Sequence, residues 1–342
     1  MEKYAVIAKI LELTPIEGAD RIETATVLGW KVVTQKHLYN VGDLAVMIFP
    51  DTLVPKKFLD GAYQGEEKVR LKTVKLRGQY SAGLLIPITI LGKNFDKNFK
   101  EGDEISELLG VEKWVAPAST SIGGDIAGDF PTAIISKTDE LNIRSEPEAL
   151  EEARHMLPIT DFVATLKCDG SSGTFILKDG VFRVCSRNLE LKETESNAFW
   201  QAARKYEIQQ KLEKFGGNFA LQGEVCGPGI QGNPMKLNEL TFFAFLMKDV
   251  SSDNWLSWDT LKAFCEENKI PHVEELARFK FTETYPTLDQ LQDWANQARY
   301  DHGRTNAEGI VIRPVQPIKS QALQKPWWSL KVMNQPYDMK KG

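Results

Sequence analysis

The chain of 342 residues has few of the residues that build metal centres, disulfide frameworks and histidine-based active sites. Its only cysteines are Cys168, Cys185, Cys226 and Cys265, which are far apart and form no C-x-x-C pair. This spacing disfavours a zinc site or a disulfide framework. The four histidines are isolated from one another, so a histidine metal site or a catalytic triad is not expected.

Long apolar runs and an excess of positive charge are also missing. No stretch approaches the roughly 20 apolar residues of a membrane helix. The start, Met1-Glu2-Lys3-Tyr4, leads into an alternating pattern rather than an apolar signal core. We therefore expect a cytoplasmic protein without a membrane partner. The net charge of −5 means that binding to nucleic acid would require a local basic surface.

What is present is typical of a globular chain of about two domains. Residues 1–110 contain short alternating runs, such as Val6–Ile10 and Leu44–Phe49, separated by turn residues. This pattern predicts a small closed β-barrel. Residues 111–138 are rich in proline, glycine, serine and alanine and are predicted to form a linker and an entry loop. Residues 139–342 then form a second domain of strands and amphipathic helices.

Cations alternate with aliphatic residues near the end of the first domain. They are Lys68, Arg70, Lys72, Lys75 and Arg77. The alternation changes parity near Thr73, where a bulge or bend would return all five cations to one face. Such a face suits a phosphate backbone, as in OB folds, but a solvated edge strand protected by lysines has the same pattern.

A lysine and an aspartate interrupt an apolar region near the middle of the chain. Predicted strands flank the sequence Lys167-Cys168-Asp169-Gly170. Residues i and i+2 of a strand share a face, so Lys167 and Asp169 are expected to project together. A lysine in such a place suits a covalent nucleophile if its surroundings lower its pKa. An ordinary ion pair at a hairpin turn shows the same local pattern.

Further charged residues lie in predicted strands downstream, at Arg187, Glu224, Glu308 and Lys331. A carboxylate inside an apolar strand is costly unless it is paired or binds a cation. With Asp169, the two glutamates offer hard oxygen ligands that suit Mg²⁺ or Mn²⁺. The two cations suit the charge on phosphate oxygens. The set therefore fits the attack of a lysine on a nucleotide α-phosphate.

Six short motifs occur in a characteristic order. They are K-C-D-G at 167–170, S-R-N around Arg187, G-E-V-C-G-P-G-I-Q from Gly223, F-F-A-F at 242–245, A-E-G-I-V-I-R-P at 307–314 and W-S-L-K-V at 328–332. They resemble the motifs of the covalent nucleotidyltransferases, which include RNA ligases, DNA ligases and capping enzymes. The G-E-x-x-G-P-G-I-Q run and A-E-G-x-V are especially similar to those of the RNA ligases that repair nicked RNA. The run I-x-G-A-D-R-I-E-x-A at 16–25 also resembles the OB modules of that group, and an OB domain placed first is typical of its bacterial and protist members.

The resemblance implies an α+β protein with an N-terminal OB-fold β-barrel and a C-terminal nucleotidyltransferase domain of antiparallel sheets flanked by helices. It implies an ATP-dependent RNA ligase that uses Mg²⁺ or Mn²⁺ and seals 3′-hydroxyl/5′-phosphate nicks through a lysyl-AMP intermediate. The expected partner is nicked duplex RNA, or another nucleic acid containing RNA, bound by a monomer. Two alternatives stay open, namely a capping-type guanylyltransferase and a non-catalytic RNA-binding protein.

The resemblance also assigns roles to individual residues. Lys167 matches the lysine that takes AMP, and Phe245 matches the aromatic residue that stacks on the base. The metal-associated acids correspond to Asp169, Glu224 and Glu308, and the phosphate or ribose contacts to Arg187 and Lys331. Many RNA ligases have a second lysine two residues after the last one, where this chain has Met333. Arg313 is a candidate replacement.

Overall fold

The computed structural model describes residues 3–59, 67–96, 99–114, 125–156, 159–300 and 303–340. Two compact units form, one from residues 1–117 with 335–342 and the other from residues 118–334. In the described part of the chain, no helix is long and apolar enough to cross a membrane.

The first unit is built mainly from short strands. They are β1 (Ala5–Lys9), β2 (Glu12–Pro15), β3 (Ile22–Val27), β4 (Trp30–Gln35), β5 (Leu44–Ile48), β6 (Thr52–Pro55), β7 (Lys68–Leu71), β8 (Val74–Leu76), β9 (Gln79–Ser81), β10 (Leu84–Pro87) and β11 (Glu112–Lys113). Short helical segments are the 3₁₀ turns Lys56–Phe58 and Ile88–Asp96 and helix α1 (Ser106–Leu109). The strands form the sheets β1-β5-β10, β2-β3-β4 and β11-β6-β7 and the hairpin β8-β9.

Strand alternation gives this unit its core. In β1, Ala5 and Ile7 join one apolar cluster, whereas Val6 and Ala8 join another on the opposite face. Successive side chains of a strand point to opposite faces, so both faces of the central sheet are covered. This explains why β1 is apolar at nearly every position instead of alternating with polar residues.

The second unit carries larger sheets. Its strands are β12 (Ile126–Asp129), β13 (Leu141–Asn142), β14 (Phe162–Lys167), β15 (Ser171–Lys178), β16 (Val181–Cys185), β17 (Leu189–Leu191), β18 (Phe219–Cys226), β19 (Thr241–Asp249), β20 (Asn254–Trp255), β21 (Glu275–Phe279), β22 (Arg299–Tyr300), β23 (Thr305–Asn306), β24 (Gly309–Pro314) and β25 (Leu330–Met333). A seven-stranded sheet has the order β12-β17-β16-β15-β18-β19-β20, and a five-stranded sheet has the order β13-β25-β24-β14-β21. Strands β22 and β23 form a separate pair.

Helices flank these sheets. They are α2 (Pro147–Glu151), α3 (Ala198–Lys205), α4 (Ile208–Phe215), α5 (Trp258–Glu267) and α6 (Leu288–Gln297), with the 3₁₀ turn Ile143–Ser145 before α2 and the π-helical turn Glu152–Met156 after it. Thr287 starts α6 with a capping box, in which its hydroxyl accepts the N–H of Gln290 and the Gln290 side chain accepts the N–H of Thr287. The last helix, α7 (Gln335–Lys340), belongs to the first unit.

The region predicted as a linker, residues 111–138, contains ordered strands at both ends. Strand β11 pairs with β6 in the first unit, and β12 pairs with β17 in the second. Residues 115–124 of this region lie outside the described residues. The low periodicity of the sequence hides β11 and β12 because strands of two and four residues are too short to show an alternating pattern.

Candidate active site

The centre of the candidate site is an ion pair between two neighbouring strands. Lys167 is the last residue of β14, and Glu308 comes immediately before β24. The two strands pair antiparallel up to Lys167 opposite Gly309. Lys167 Nζ lies 2.6 Å from Glu308 Oε2, and the two side chains are 23% and 13% exposed. The pair is therefore partly shielded but still reachable from solvent.

Gly309 is required at this point by its backbone. Its φ is +155°, and an added Cβ would lie 2.2 Å from the carbonyl oxygen of Val332 on β25. Residues with a side chain rarely adopt this backbone conformation, and the close contact leaves no space for a Cβ atom. The glycine of the A-E-G motif thus lets β24 approach β25 closely right beside Glu308.

Three acids determine the protonation of the lysine. Burial alone would lower the pKa of Lys167, but the charges of Glu308 and Glu224, the hydrogen bond to Glu308 and the charge of Asp169 together raise it above its usual value. The protein chain alone therefore does not supply the lowered pKa that a nucleophilic lysine needs, because a single ammonium group faces three carboxyl groups. Lys167 is held as a cation.

The pKa of Glu224 is also raised, which for a carboxyl group favours the neutral form. Burial raises its pKa to about 8; the charges of Glu308 and Asp169 add to the shift, whereas Lys167 and a hydrogen bond from the backbone of Gly170 oppose it. Gly170 is closely packed here, since an added Cβ would lie 2.3 Å from the carbonyl oxygen of Val225. The structure therefore brings Lys167, Asp169, Glu224 and Glu308 together as predicted, although Asp169 lies beyond the end of β14 and is only 4% exposed.

Lys331 projects from the same sheet face as the central lysine. On β24, Gly309 pairs with both Lys167 and Met333, and Val311 pairs with both Thr165 and Lys331. Paired residues share a face, and so do residues two apart along a strand. Lys331 thus lies one row from Lys167, and Met333 stands in the same row as Lys167.

Phe245 occupies an irregular position on β19. Gly223 pairs with Ala244 and Gln222 with Leu246, so Phe245 is the extra residue of a β-bulge. Arg313, in the other sheet, donates a hydrogen bond from Nη1 to the Phe245 carbonyl oxygen and has its guanidinium carbon 5.7 Å from the centre of the ring. Arg313 is only 6% exposed, so the structure gives this cation a contact with Phe245 rather than a solvent-facing position.

Arg187 is exposed and has an acidic partner. Arg187 Nη2 is 2.7 Å from Asp139 Oδ1, and both side chains are more than 40% exposed. An exposed ion pair of this kind adds little stability, so a competing phosphate oxygen can take the place of the aspartate at small cost.

The carboxylates suit a divalent cation in chemistry and in charge. Asp169, Glu224 and Glu308 are hard oxygen donors, and the pKa of Glu224 is raised by its burial and further by the charges of Glu308 and Asp169. No group of three or more acidic, histidine or cysteine side chains forms a ready metal site among the described residues. A Mg²⁺ or Mn²⁺ ion held by some of these acids would need further oxygen ligands from phosphate or water.

The predicted basic face of the first unit is divided by the structure. Lys68 and Arg70 lie on β7, but β8 belongs to a separate hairpin, so neither a bulge nor a bend unites the five cations in one sheet. Lys68 pairs with Glu112. Arg70 lies 2.6 Å from Asp51 and stacks over Trp114 with 3.7 Å to the ring centre.

The other three cations differ in their surroundings. Lys72 is half-buried, whereas Lys75 and Arg77 are exposed on the hairpin β8-β9. Lys75 Nζ lies 4.9 Å from the ring centre of Tyr80. Val74 and Leu76 of the same hairpin are 45% and 41% exposed, so its aliphatic residues do not form the buried face that the sequence pattern suggested.

Two contacts of the site were not predicted from the sequence. Tyr300 is 2% exposed, and its hydroxyl donates to the Lys167 carbonyl oxygen and accepts the N–H of Glu308. Asp139, the partner of Arg187, is the other. Neither residue lies in a recognisable motif, and only the folded chain brings them to the site.

Comparisons with known proteins agree with this architecture. A family model described as RNA ligase matches residues 160–328, and an OB-fold domain model matches residues 4–88. A search of curated proteins gave no match. The structure of Naegleria gruberi RNA ligase with PPi is 32% identical, with a TM-score of 0.83 and coverage of 99% of both chains. A mutant of that ligase with ATP and Mn and another with AMP and Mn are likewise 32% identical and cover 99% of both chains, each with a TM-score of 0.85.

The chain has an OB-fold domain followed by a domain of two sheets, with a lysine among acids at the strand ends. This combination defines a nucleotidyltransferase of the ligase class, and the matching models and structures confirm the predicted fold class. Within that class, the chain belongs to the RNA ligase family.

Proposed function

We propose that this chain is an ATP-dependent RNA ligase that seals nicks between a 3′-hydroxyl and a 5′-phosphate through a lysyl-AMP intermediate. The observation that carries the proposal is the Lys167–Glu308 pair, which lies in the cluster of acids at the end of β14 and within the region that matches the RNA ligase family. The relatives with ATP, AMP and Mn support ATP as the nucleotide and a divalent metal as its companion.

In the first step, Lys167 Nζ attacks the α-phosphorus of ATP. A P–N bond forms, the bond from the α-phosphorus to the oxygen shared with the β-phosphate breaks, pyrophosphate leaves, and the ammonium nitrogen loses two of its three protons. Glu308 Oε2, 2.6 Å from Lys167 Nζ, is placed to accept one of these protons. Lys331 and Arg187 offset charge on the phosphate oxygens, and Phe245 stacks on the base. A bound divalent cation would supply Lewis-acid stabilisation of the phosphate charge, and Asp169, Glu224 and Glu308 are the acids that would hold it, directly or through water.

The next two steps transfer and release AMP. A 5′-phosphate oxygen of the RNA attacks the AMP phosphorus, and Lys167 leaves as the amine. The 3′-hydroxyl of the other strand end then attacks the RNA 5′-phosphorus, so that a phosphodiester bond forms and AMP departs. The exposed cations of the first unit suit the phosphate backbone of the nicked duplex, which makes its affinity dependent on salt.

The test is incubation with ATP labelled at the α-phosphate and with Mn²⁺. We expect label on the wild-type protein, no label on Lys167→Ala, and little label when GTP replaces ATP. Added nicked RNA duplex should then be sealed. An unlabelled wild type, or equal labelling of Lys167→Ala, contradicts the lysyl-AMP mechanism, and preferred labelling by GTP identifies a guanylyltransferase instead.

A further inference from the structure

A single buried oxygen links the two chain segments that carry the central ion pair. The hydroxyl of Tyr300 donates to the carbonyl oxygen of Lys167 at 2.5 Å and accepts the N–H of Glu308 at 3.0 Å. A phenolic hydroxyl can act as donor and acceptor at once, and both capacities are used here. The bonds go to the backbone of both residues, so they constrain the positions from which the two side chains start.

The Tyr300 bridge lies where the pairing between β14 and β24 ends. Strands β14 and β24 pair as far as Lys167 and Gly309, and Glu308 lies just past this last pair. Backbone beyond the end of a ladder has fewer constraints than backbone inside it. The rigid ring of Tyr300, 2% exposed, holds the two segments together where their pairing ends.

We propose that Tyr300 is a positioning residue for the adenylylation step. By fixing the backbone of Lys167 and Glu308, it keeps Nζ at the spacing and direction needed for in-line attack on the α-phosphorus. The inference rests on the proposed function, because it assigns Tyr300 a role in the lysyl-AMP step.

Removal of the hydroxyl should act on rate more than on nucleotide affinity. A displacement of the reacting atoms by about 1 Å from the geometry of attack slows a reaction on the order of 100-fold. The two hydrogen bonds of this hydroxyl go to the backbone of Lys167 and Glu308, whereas the base and the phosphates are assigned to Phe245, Arg187 and Lys331. The concentration of ATP that gives half the maximal rate should therefore change little.

The experiment measures single-turnover labelling of the full chain by α-labelled ATP with Mn²⁺. The variants are Tyr300→Phe and the matched control Tyr39→Phe. Tyr39 is also buried, at 5% exposure in the first unit, but its hydroxyl has no hydrogen-bond partner within the described part of the chain. We expect Tyr300→Phe to slow labelling at saturating ATP by about tenfold or more, with half-saturation unchanged within about twofold. Tyr39→Phe should label at the wild-type rate.

A second measurement separates positioning from a general structural defect. Sealing of a nick that already carries the 5′-adenylate does not use Lys167 as the nucleophile. Tyr300→Phe should therefore seal this substrate with a much smaller loss than it shows in labelling. Equal losses in the two assays, or labelling at the wild-type rate, would overturn the role of Tyr300 while leaving the proposed function intact. A wild-type protein that takes no label would overturn both.

Discussion

At the scale of single residues, the site is a balance between one ammonium group and three carboxyl groups. The acids raise the pKa of Lys167, whereas a nucleophile must lose its proton. A divalent cation held by these carboxylates would oppose their effect on the lysine, because its positive charge would lower the pKa of Lys167.

The raised pKa of Glu224 predicts a pH-dependent loss of stability. The pKa is about 8 in the folded chain against an ordinary value of 4.5, so between these values the folded state binds a proton that the unfolded state lacks. Stability contributed by this group is then present at pH 5 and declines as the pH rises toward 8. Glu224→Gln removes the titration, so its melting temperature relative to wild type should rise from pH 5 to pH 8.

This prediction is checked by thermal unfolding in the presence of a chelator, with Glu267→Gln as the control. Glu267 is exposed on α5, so its substitution should shift the melting temperature by nearly the same small amount at both pH values. A constant difference between Glu224→Gln and wild type across this range would contradict the assigned pKa.

At the scale of elements, the bulge in β19 distinguishes two neighbouring aromatic residues. Phe243 pairs regularly with Glu224, whereas Phe245 is the unpaired residue held by Arg313. Stacking of a base on an aromatic ring contributes about 1–3 kcal/mol. Phe245→Ala should therefore raise the ATP concentration for half-maximal labelling by about tenfold. Phe243→Ala is the control, and an equal rise in that variant would contradict the assignment of the base platform.

The hairpin β8-β9 makes a second element-scale prediction. Lys75 and Arg77 are exposed on it, whereas Lys68 and Arg70 on β7 have acidic partners. Replacing Lys75 and Arg77 by alanine should weaken binding of nicked RNA and reduce the slope of log affinity against log salt by about 1–2. Replacing Lys68 and Arg70 should change the slope less. Affinities measured over a salt series decide this, and a wild-type slope in the variant that lacks Lys75 and Arg77 would remove the hairpin from the interface.

The sequence predicts the site better than it predicts the first unit, for a physical reason. Short motifs mark Lys167, Glu224 and Glu308 because reactive chemistry restricts the residue types at those positions. The division of the basic stretch between β7 and β8 depends on partners distant in sequence, and alternation cannot show it. The contacts of Tyr300 could not be predicted for the same reason, because its partners lie 133 and 8 residues away and only the fold brings both to one hydroxyl.

At the scale of the whole molecule, each unit has its own architecture and its own expected task. The first unit packs apolar clusters on both faces of a three-stranded sheet and presents the cationic hairpin. The second unit supplies all the residues assigned to nucleotide chemistry, from Lys167 to Lys331. A fault in nucleic-acid binding should therefore be separable from a fault in adenylylation, as the variants of Lys75 and Lys167 would show.

The last prediction concerns the order in which metal and nucleotide stabilise the molecule. Three carboxyl groups act on the single ammonium group of Lys167, yet the described residues contain no ready-made metal site. Oxygen atoms of phosphate, together with water, would then complete the coordination of a divalent cation. A ligand at 100 times its dissociation constant adds about 2.7 kcal/mol of stability, which raises a melting temperature by about 4 °C in a chain of this size. We expect that shift with ATP and Mn²⁺ together in Lys167→Met, which cannot form the covalent adduct, and a much smaller one with Mn²⁺ alone.

Asp169→Asn in the same background should reduce the joint shift. A full shift with Mn²⁺ alone would instead mean that the carboxylates converge on the metal before the nucleotide arrives.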